Sequence, residues 1–150
     1  MRQPKFRGFS PETNEWVYGY GWHETDYTDD FLRSINQSRQ DAVLFTKTFP
    51  ITCDIESMGE FTGLLDTNGV EIYEGDIIYY NIDNGVGIEH YQARVVWSEN
   101  TAEYKNRFEW LIIYSDCDDF DDLSRPAAYN SELQVVGNIY ENPELLEEGK

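Results

Sequence analysis

The sequence has few of the residues from which most catalytic and metal sites are built. Among its 150 residues there are two cysteines, Cys53 and Cys117, and two histidines, His23 and His90. It contains no CxxC pair, no G-x-S-x-G motif and no phosphate loop ending in GKS or GKT. Two widely spaced cysteines are too few for the disulfide framework of a small secreted domain. We therefore expect two free thiols in a reducing compartment.

Basic residues are also scarce. The chain has 11 Lys and Arg against 29 Asp and Glu, a formal net charge of −18, and the excess of acid falls in residues 51–150. Because Lys and Arg recruit the phosphate backbone, direct binding of nucleic acid is not expected. A basic partner protein, or no macromolecular partner, fits this charge better.

Long apolar runs are absent, so we expect no transmembrane span. The first residues are basic, but the apolar stretch of a signal peptide does not follow them. We therefore expect no secretory signal. We expect a cytoplasmic protein with no membrane partner.

Aromatic residues, by contrast, are abundant at 15%. Together with alternating apolar positions they predict short β-strands separated by turn signals, the pattern of a small barrel or sandwich with few or no helices. The predicted strands are 5–9 and 15–22, which form a hairpin, followed by 42–45, 49–52, 77–82, 88–97, 108–114 and 133–140. Residues 23–41 are predicted to be a loop with one helical turn, and residues 115–130 an acidic loop. A last helical turn should follow Asn142 and Pro143.

Two turns interrupt the central stretch FTGLLDTNGVEIYEGDII. Asn68-Gly69 is typical of a tight hairpin, and Glu74-Gly75-Asp76 delivers the chain into the strand that starts at Ile77. Both glycines are predicted to have positive φ, because a Cβ would be strained there.

Three segments resemble the YopX family of phage and prophage proteins. They are KFRGFSPETNEWVYG (5–19), GEFTGLLDTNGVEIYEGDII (59–78) and VVGNIYENPELL (135–146). The resemblance implies an all-β fold, a small SH3-like barrel or roll with an N-terminal β-hairpin elaboration, encoded by a bacteriophage or prophage. The family has no assigned function, so no catalytic residue and no cofactor is carried over.

The domain prediction follows from these segments. Residues 1–58 would hold the N-terminal hairpin and a variable loop region, residues 59–146 the SH3-like barrel, and 147–150 a tail, all in one structural unit. The segments 23–45 and 99–131 fall where the family varies. The segment 135–146 is predicted to close the barrel that begins at Ile77, with Leu145 or Leu146 largely buried.

Acidic residues are the best candidates for a metal site or for catalysis. Asp116, Asp118 and Asp121 lie in one loop, but the glycine and the distal glutamate of a calcium loop are missing, so we predict no ordered divalent cation there. Asp66, Glu74 and Asp76 lie at turns, where carboxylates accept backbone N–H bonds. We therefore expect no catalytic residue, no metal and no cofactor.

Aromatic side chains are the remaining candidates for a partner-binding surface. By residue type these are Tyr79, Tyr80, Trp97, Trp110 and Tyr129, with cross-strand core pairs as the other interpretation. The leading hypothesis is a non-enzymatic phage or prophage accessory protein that binds another protein. The alternatives are an acidic nucleic-acid mimic that inhibits a host DNA-binding protein, and a carboxylate-based enzyme. The partner, the stage of infection and the oligomeric state, homo-oligomers included, are left open.

Overall fold

The computed structural model describes residues 4–100, 109–116, 119–128 and 132–148. It divides into two compact units, Met1–Phe61 and Thr62–Lys150. Within the described residues, no helix has the length and apolarity that crossing a membrane requires.

The first unit begins with the predicted hairpin. Strands β1 (Phe6–Ser10) and β2 (Glu15–Gly19) pair in antiparallel register, and the first residues of β6 (Gly59–Leu65) pair with the other edge of β1. Gly8 lies where a Cβ would come within 2.5 Å of the Met58 sulfur. The hairpin predicted from the aromatic alternation is confirmed, but its second strand ends at Gly19, and residues 21–24 form a strand of another sheet.

A second antiparallel sheet in this unit has the order β3-β4-β5, formed by β3 (Gly21–Glu24), β4 (Asp41–Phe45) and β5 (Ile51–Asp54). The connection from β3 to β4, predicted as a loop with a helical turn, contains α1 (Asp29–Ser34). Thr28 caps this helix by accepting the N–H of Phe31. Buried Leu32 anchors it.

The core of the first unit contains a free cysteine. Cys53 is fully buried with Ala42 and Leu44. Burial raises the pKa of its thiol to about 11, with a smaller contribution from the charge of Asp54. The thiol is therefore protonated and inert at neutral pH. The prediction of a free thiol is confirmed for Cys53, whereas Cys117 lies outside the described residues.

The second unit begins with the Asn-Gly hairpin. The end of β6 and β7 (Glu71–Tyr73) flank it, and the Thr62 hydroxyl donates to the C=O of Ile72. The φ angles are 83° at Gly69 and 89° at Gly75, so both predicted positive values are confirmed.

A five-stranded antiparallel sheet follows, in the order β11-β10-β9-β8-β12. Its strands are β8 (Asp76–Asp83), β9 (Ile88–Trp97), β10 (Trp110–Tyr114), β11 (Phe120–Asp122) and β12 (Gln134–Asn138). Short helices α2 (Arg125–Ala128) and α3 (Glu144–Glu148) and the 3-10 turns Ile55–Ser57 and Ser98–Asn100 complete the described elements. The larger core cluster of this unit consists of Ile72, Ile78, Tyr80, Ala93, Val95, Ile112, Leu123 and Leu133, and a smaller one of Val96, Leu111 and Ile113.

The all-β class is thus confirmed, but several finer predictions are not. The region 115–130, predicted as a loop, contains β11 and α2, because Phe120–Asp122 pairs with Leu111–Ile113. Residues 135–146 were predicted to close a barrel, but β12, which pairs with β8, is the last strand in the sheet order and closes no barrel in the described part of the chain. Leu145 and Leu146 both have intermediate burial, which agrees with the prediction that one of the two is largely buried.

The turn that follows β12 requires a glycine at position 137. The side chain of Asn142 accepts the N–H of Asn138 at 3.2 Å, and a Cβ on Gly137 would lie 2.6 Å from that same oxygen. It would also lie 3.1 Å from a methyl group of Leu145. Gly137 therefore allows β12, the turn and α3 to approach one another.

We predict that Gly137→Ala lowers the free energy of unfolding by about 1–3 kcal/mol, the usual cost of overpacking. Gly87→Ala is the matched control, since a Cβ there meets nothing within 4 Å. Chemical denaturation of both variants measures the difference. Equal stability of the two variants would contradict this account of Gly137.

A second prediction concerns the C-terminal segment. A chain that ends at Gly137 loses the bond from the Ile139 N–H to the Gly75 C=O, 2.8 Å long, and the half-buried Leu145 and Leu146. Full burial of one Leu contributes about 1.5–3 kcal/mol, and each of these contributes part of that. We expect this chain to lose its cooperative thermal transition, whereas a chain that ends at Leu146 keeps it. Equal melting temperatures would show that the segment is dispensable.

Candidate functional site

The carboxylates of the central motif have structural partners. Asp66 is 7% exposed, and its Oδ1 accepts the N–H groups of Asn68 and Val70, each at 2.8 Å. Its Oδ2 accepts the N–H of Val135 in β12, at 3.1 Å. The side chain thus holds its own turn and β12 together.

Asp76 has a comparable position at the start of β8. It is 1% exposed, and its Oδ2 accepts the N–H of Tyr73 at 2.8 Å. The intervening Gly75 donates its N–H to the C=O of Val95 and accepts from Ile139. Both aspartates therefore hold backbone groups, as carboxylates at turns are expected to do.

The aromatic residues chosen by type have different environments. Tyr80 is 1% exposed and stacks on Tyr91 with ring centroids 5.2 Å apart, so its ring lies in the core. Trp97 and Trp110 form a half-buried cross-strand pair at 5.0 Å. Tyr79 is half-buried beside His90, whereas Tyr129 lies outside the described residues.

The hydroxyl groups of Tyr80 and Tyr114 and the carboxylate of Asp121 form a chain of hydrogen bonds. The Tyr80 and Tyr114 hydroxyls lie 2.5 Å apart, and the Tyr114 hydroxyl donates to Asp121 at 3.3 Å. Burial first, and then these neighbours, raise the pKa of Tyr114 above its usual range. This group is therefore a neutral hydrogen-bond donor at neutral pH.

Tyr79 contributes to a small cleft in the second unit. The cleft has a volume of about 210 Å³ and is lined by Tyr79, His90, Tyr91, Gln92, Ser115 and Asp116. Tyr79 lies opposite Gln92 in the β8–β9 register, and His90 follows two residues away on the same face. We call this the Tyr79 cleft.

The floor and the rim of the Tyr79 cleft are fixed by hydrogen bonds. Ser115 donates both its N–H and its hydroxyl to the C=O of Gln92, each at 3.0 Å, and this places exposed Asp116 at the rim. On the opposite wall the Tyr79 hydroxyl and the Nδ1 of His90 form a hydrogen bond. Sequence reasoning selected Tyr79 for partner binding. It did not place His90 or Gln92 at this surface, and it weighed Asp116 only as a metal ligand. Folding the hairpin about Asn84-Gly85 would have found His90 and Gln92.

Negative charge dominates the surroundings of the cleft. Residues 62–150 contain five Lys and Arg and nineteen Asp and Glu, a net charge of −14. Glu89 accepts the hydroxyl of Tyr91, and this bond is the main cause that raises the pKa of Tyr91 to about 12. The described lining includes one carboxylate and neither Lys nor Arg.

Metal ligands do not gather in the described residues, where no group of three His, Cys, Asp or Glu side chains could hold an ion. Asp118, one of the three aspartates weighed as a metal site, lies outside the described residues, so the prediction for that loop remains a prediction.

The chain was compared with solved structures, with curated proteins and with family models. A crystal structure of protein EF1440 from Enterococcus faecalis is 22% identical, covers 97% of this chain and 99% of its own, and superposes with a TM-score of 0.47. No curated protein matches the sequence. The family model described as YopX protein matches residues 5–147, nearly the whole chain. The chain therefore belongs to the YopX family.

Proposed function

We propose that this protein is a non-enzymatic protein-binding module, encoded by a phage or prophage, that takes a basic segment of a partner protein at the Tyr79 cleft. The observation that carries the proposal is the composition of the cleft: aromatic rings and a carboxylate without Lys or Arg, in a unit with a net charge of −14. The phage or prophage origin rests on the family resemblance.

The size of the cleft favours a side chain of a protein over a free cofactor. Pockets for small molecules usually enclose about 300–1,000 Å³, whereas this one has about 210 Å³. A Lys or Arg side chain would lie against the rings of Tyr79 and His90 and reach Asp116. A cation over an aromatic face contributes about 0.5–2 kcal/mol, and an exposed ion pair about 0.2–1 kcal/mol.

Such contacts predict an affinity that depends on the salt concentration. Exposed charges farther apart than about 8 Å are screened at physiological ionic strength, so the acidic unit mainly steers a basic partner. The cleft contacts would then select it. The same proposal holds that the protein has no enzymatic activity. In support, Asp66 and Asp76, the acids of the central stretch 61–78 most suited to catalysis, accept hydrogen bonds from backbone N–H groups.

We predict that tagged protein captures its partner from a lysate of the bacterium that carries the gene, and that Asp116→Lys reduces this capture at least about tenfold, by reversing the charge at the rim. Glu132→Lys is the matched control, because Glu132 is exposed in the same unit but does not line the cleft. Quantitative mass spectrometry of the captured proteins measures both.

The same experiment separates the alternatives. Equal loss of capture in both variants would indicate recognition of overall charge, and release of a DNA-binding protein by added duplex DNA would favour the nucleic-acid mimic. Capture that is insensitive to both variants would contradict a role for the cleft.

A further inference from the structure

The strands β8 and β9 extend beyond their neighbours in the sheet. The last pair between β12 and β8 is Gln134 with Tyr79, and the last pair between β10 and β9 is Tyr114 with Ala93. Beyond these points the two strands continue to Asp83 and Ile88. We call residues 80–91 the arm. Among the described residues its two strands pair only with each other.

The orientation of the peptide groups in the arm follows from one hydrogen bond. The C=O of Gln92 accepts the N–H of Ser115 at the end of β10, so the peptide groups of Gln92 face that side of β9. In an antiparallel strand these directions alternate from residue to residue. The N–H and C=O groups of His90 and Ile88 therefore face the same side, past the residue where β10 ends. They form an open strand edge in the described part of the sheet.

This edge is held in place before any partner arrives. The Asn84 side chain accepts the N–H groups of Val86 and Gly87, each at 3.0 Å, and donates to Glu89 at 3.1 Å. Asp83 accepts the N–H of Gly85 at 2.9 Å. At the base of the arm Tyr80 stacks on Tyr91. A preorganised edge lowers the entropy cost of binding an extended chain.

The side chains around the edge indicate what could pair with it. Val86 is 93% and Ile88 59% exposed, so the arm presents apolar surface. The side chains of Ile88 and His90 lie on the face of the sheet that carries the Tyr79 cleft, and Glu89 lies on the opposite face. Asp116, just past the end of β10, and Glu89, which bonds to Tyr91, are the carboxylates next to this edge.

We propose that a basic, extended segment of a partner protein binds by adding a strand to the edge of β9 at Ile88–His90. Its backbone pairs with the peptide groups of these two residues, and its basic side chains reach Asp116 and Glu89. This proposal rests on the proposed function and specifies its binding mode. Strand addition of this kind obtains affinity from main-chain hydrogen bonds and specificity from alternate side chains. A second copy of the chain fits less well, because two units of charge −14 repel each other.

The first test uses defined peptides with the full chain. The probe is an eight-residue peptide of alternating Lys and Val. The comparison peptide has the same sequence, but N-methyl groups replace the amide hydrogens on alternate residues, on the peptide edge that would pair with β9. Titration is followed by amide chemical shifts. We expect shifts centred on Ile88, His90 and Gln92, and a dissociation constant at least about tenfold larger for the methylated peptide, because two hydrogen bonds are lost.

The second test removes the donor from the protein. His90→Pro deletes the outward N–H, whereas His90→Ala deletes only the side chain, so the Pro variant should bind the probe at least about fivefold more weakly than the Ala variant. Asn81→Pro is the control on the other strand of the arm, and it should bind like the unmodified chain. Well-dispersed amide spectra verify that each variant folds; if one does not, the methylated peptide decides.

Several results would overturn strand addition. These are absence of binding by the probe at millimolar concentration, equal binding of the methylated peptide, or a concentration-dependent dimer whose formation shifts Ile88 and His90 without any peptide. Each is distinguishable from failure of the proposed function, because capture of a partner that depends on Asp116 would still support recognition at the cleft.

Discussion

The carboxylate of Asp66 connects two segments that lie 69 positions apart in the sequence. Two of its bonds hold the Asn-Gly turn and the third holds the backbone of β12 at Val135. Next to it, Thr67 exchanges two hydrogen bonds with Leu133, 2.7 and 2.8 Å long. Because a buried carboxylate or amide without a partner costs about 1–3 kcal/mol or more, the turn and the outer strand are stable only together. This dependence accounts for the two long motifs of the C-terminal unit.

Local chemistry predicted much of the fold, and contacts distant in sequence account for what it missed. The positive φ of Gly69 and Gly75 follows from turn residues alone. By contrast, Phe120–Asp122 is too short and too acidic to show a strand pattern, and it becomes a strand because Leu111–Ile113 offers it an edge. The apolar pattern of residues 133–140 predicts a strand. Its position at the end of the sheet depends on Asp66 and Thr67, which no local pattern of β12 reveals.

The candidate site was predictable only in part, for a geometric reason. Tyr79 and Tyr80 are adjacent on one strand, so their side chains face opposite sides and only one of them can reach a given surface. Tyr80 packs in the core and Tyr79 lines the cleft. Asp116 lines the cleft because Ser115 donates hydrogen bonds to the backbone of Gln92. This contact between distant chain segments cannot be predicted from the spacing of residues in the sequence. The same bond marks where β10 ends and where the edge of β9 begins to be open.

Hydrogen exchange at the amide of Val135 tests most directly the claim that Asp66 joins the two motifs. In the unmodified chain the amides of Asn68, Val70 and Val135 should exchange slowly, because each donates to this carboxylate. In an Asp66→Ala variant all three should lose at least about tenfold of their protection together, while the amides shared by β9 and β10 lose less. If Val135 kept its protection in that variant, β12 would be held by other contacts and the central claim would be wrong.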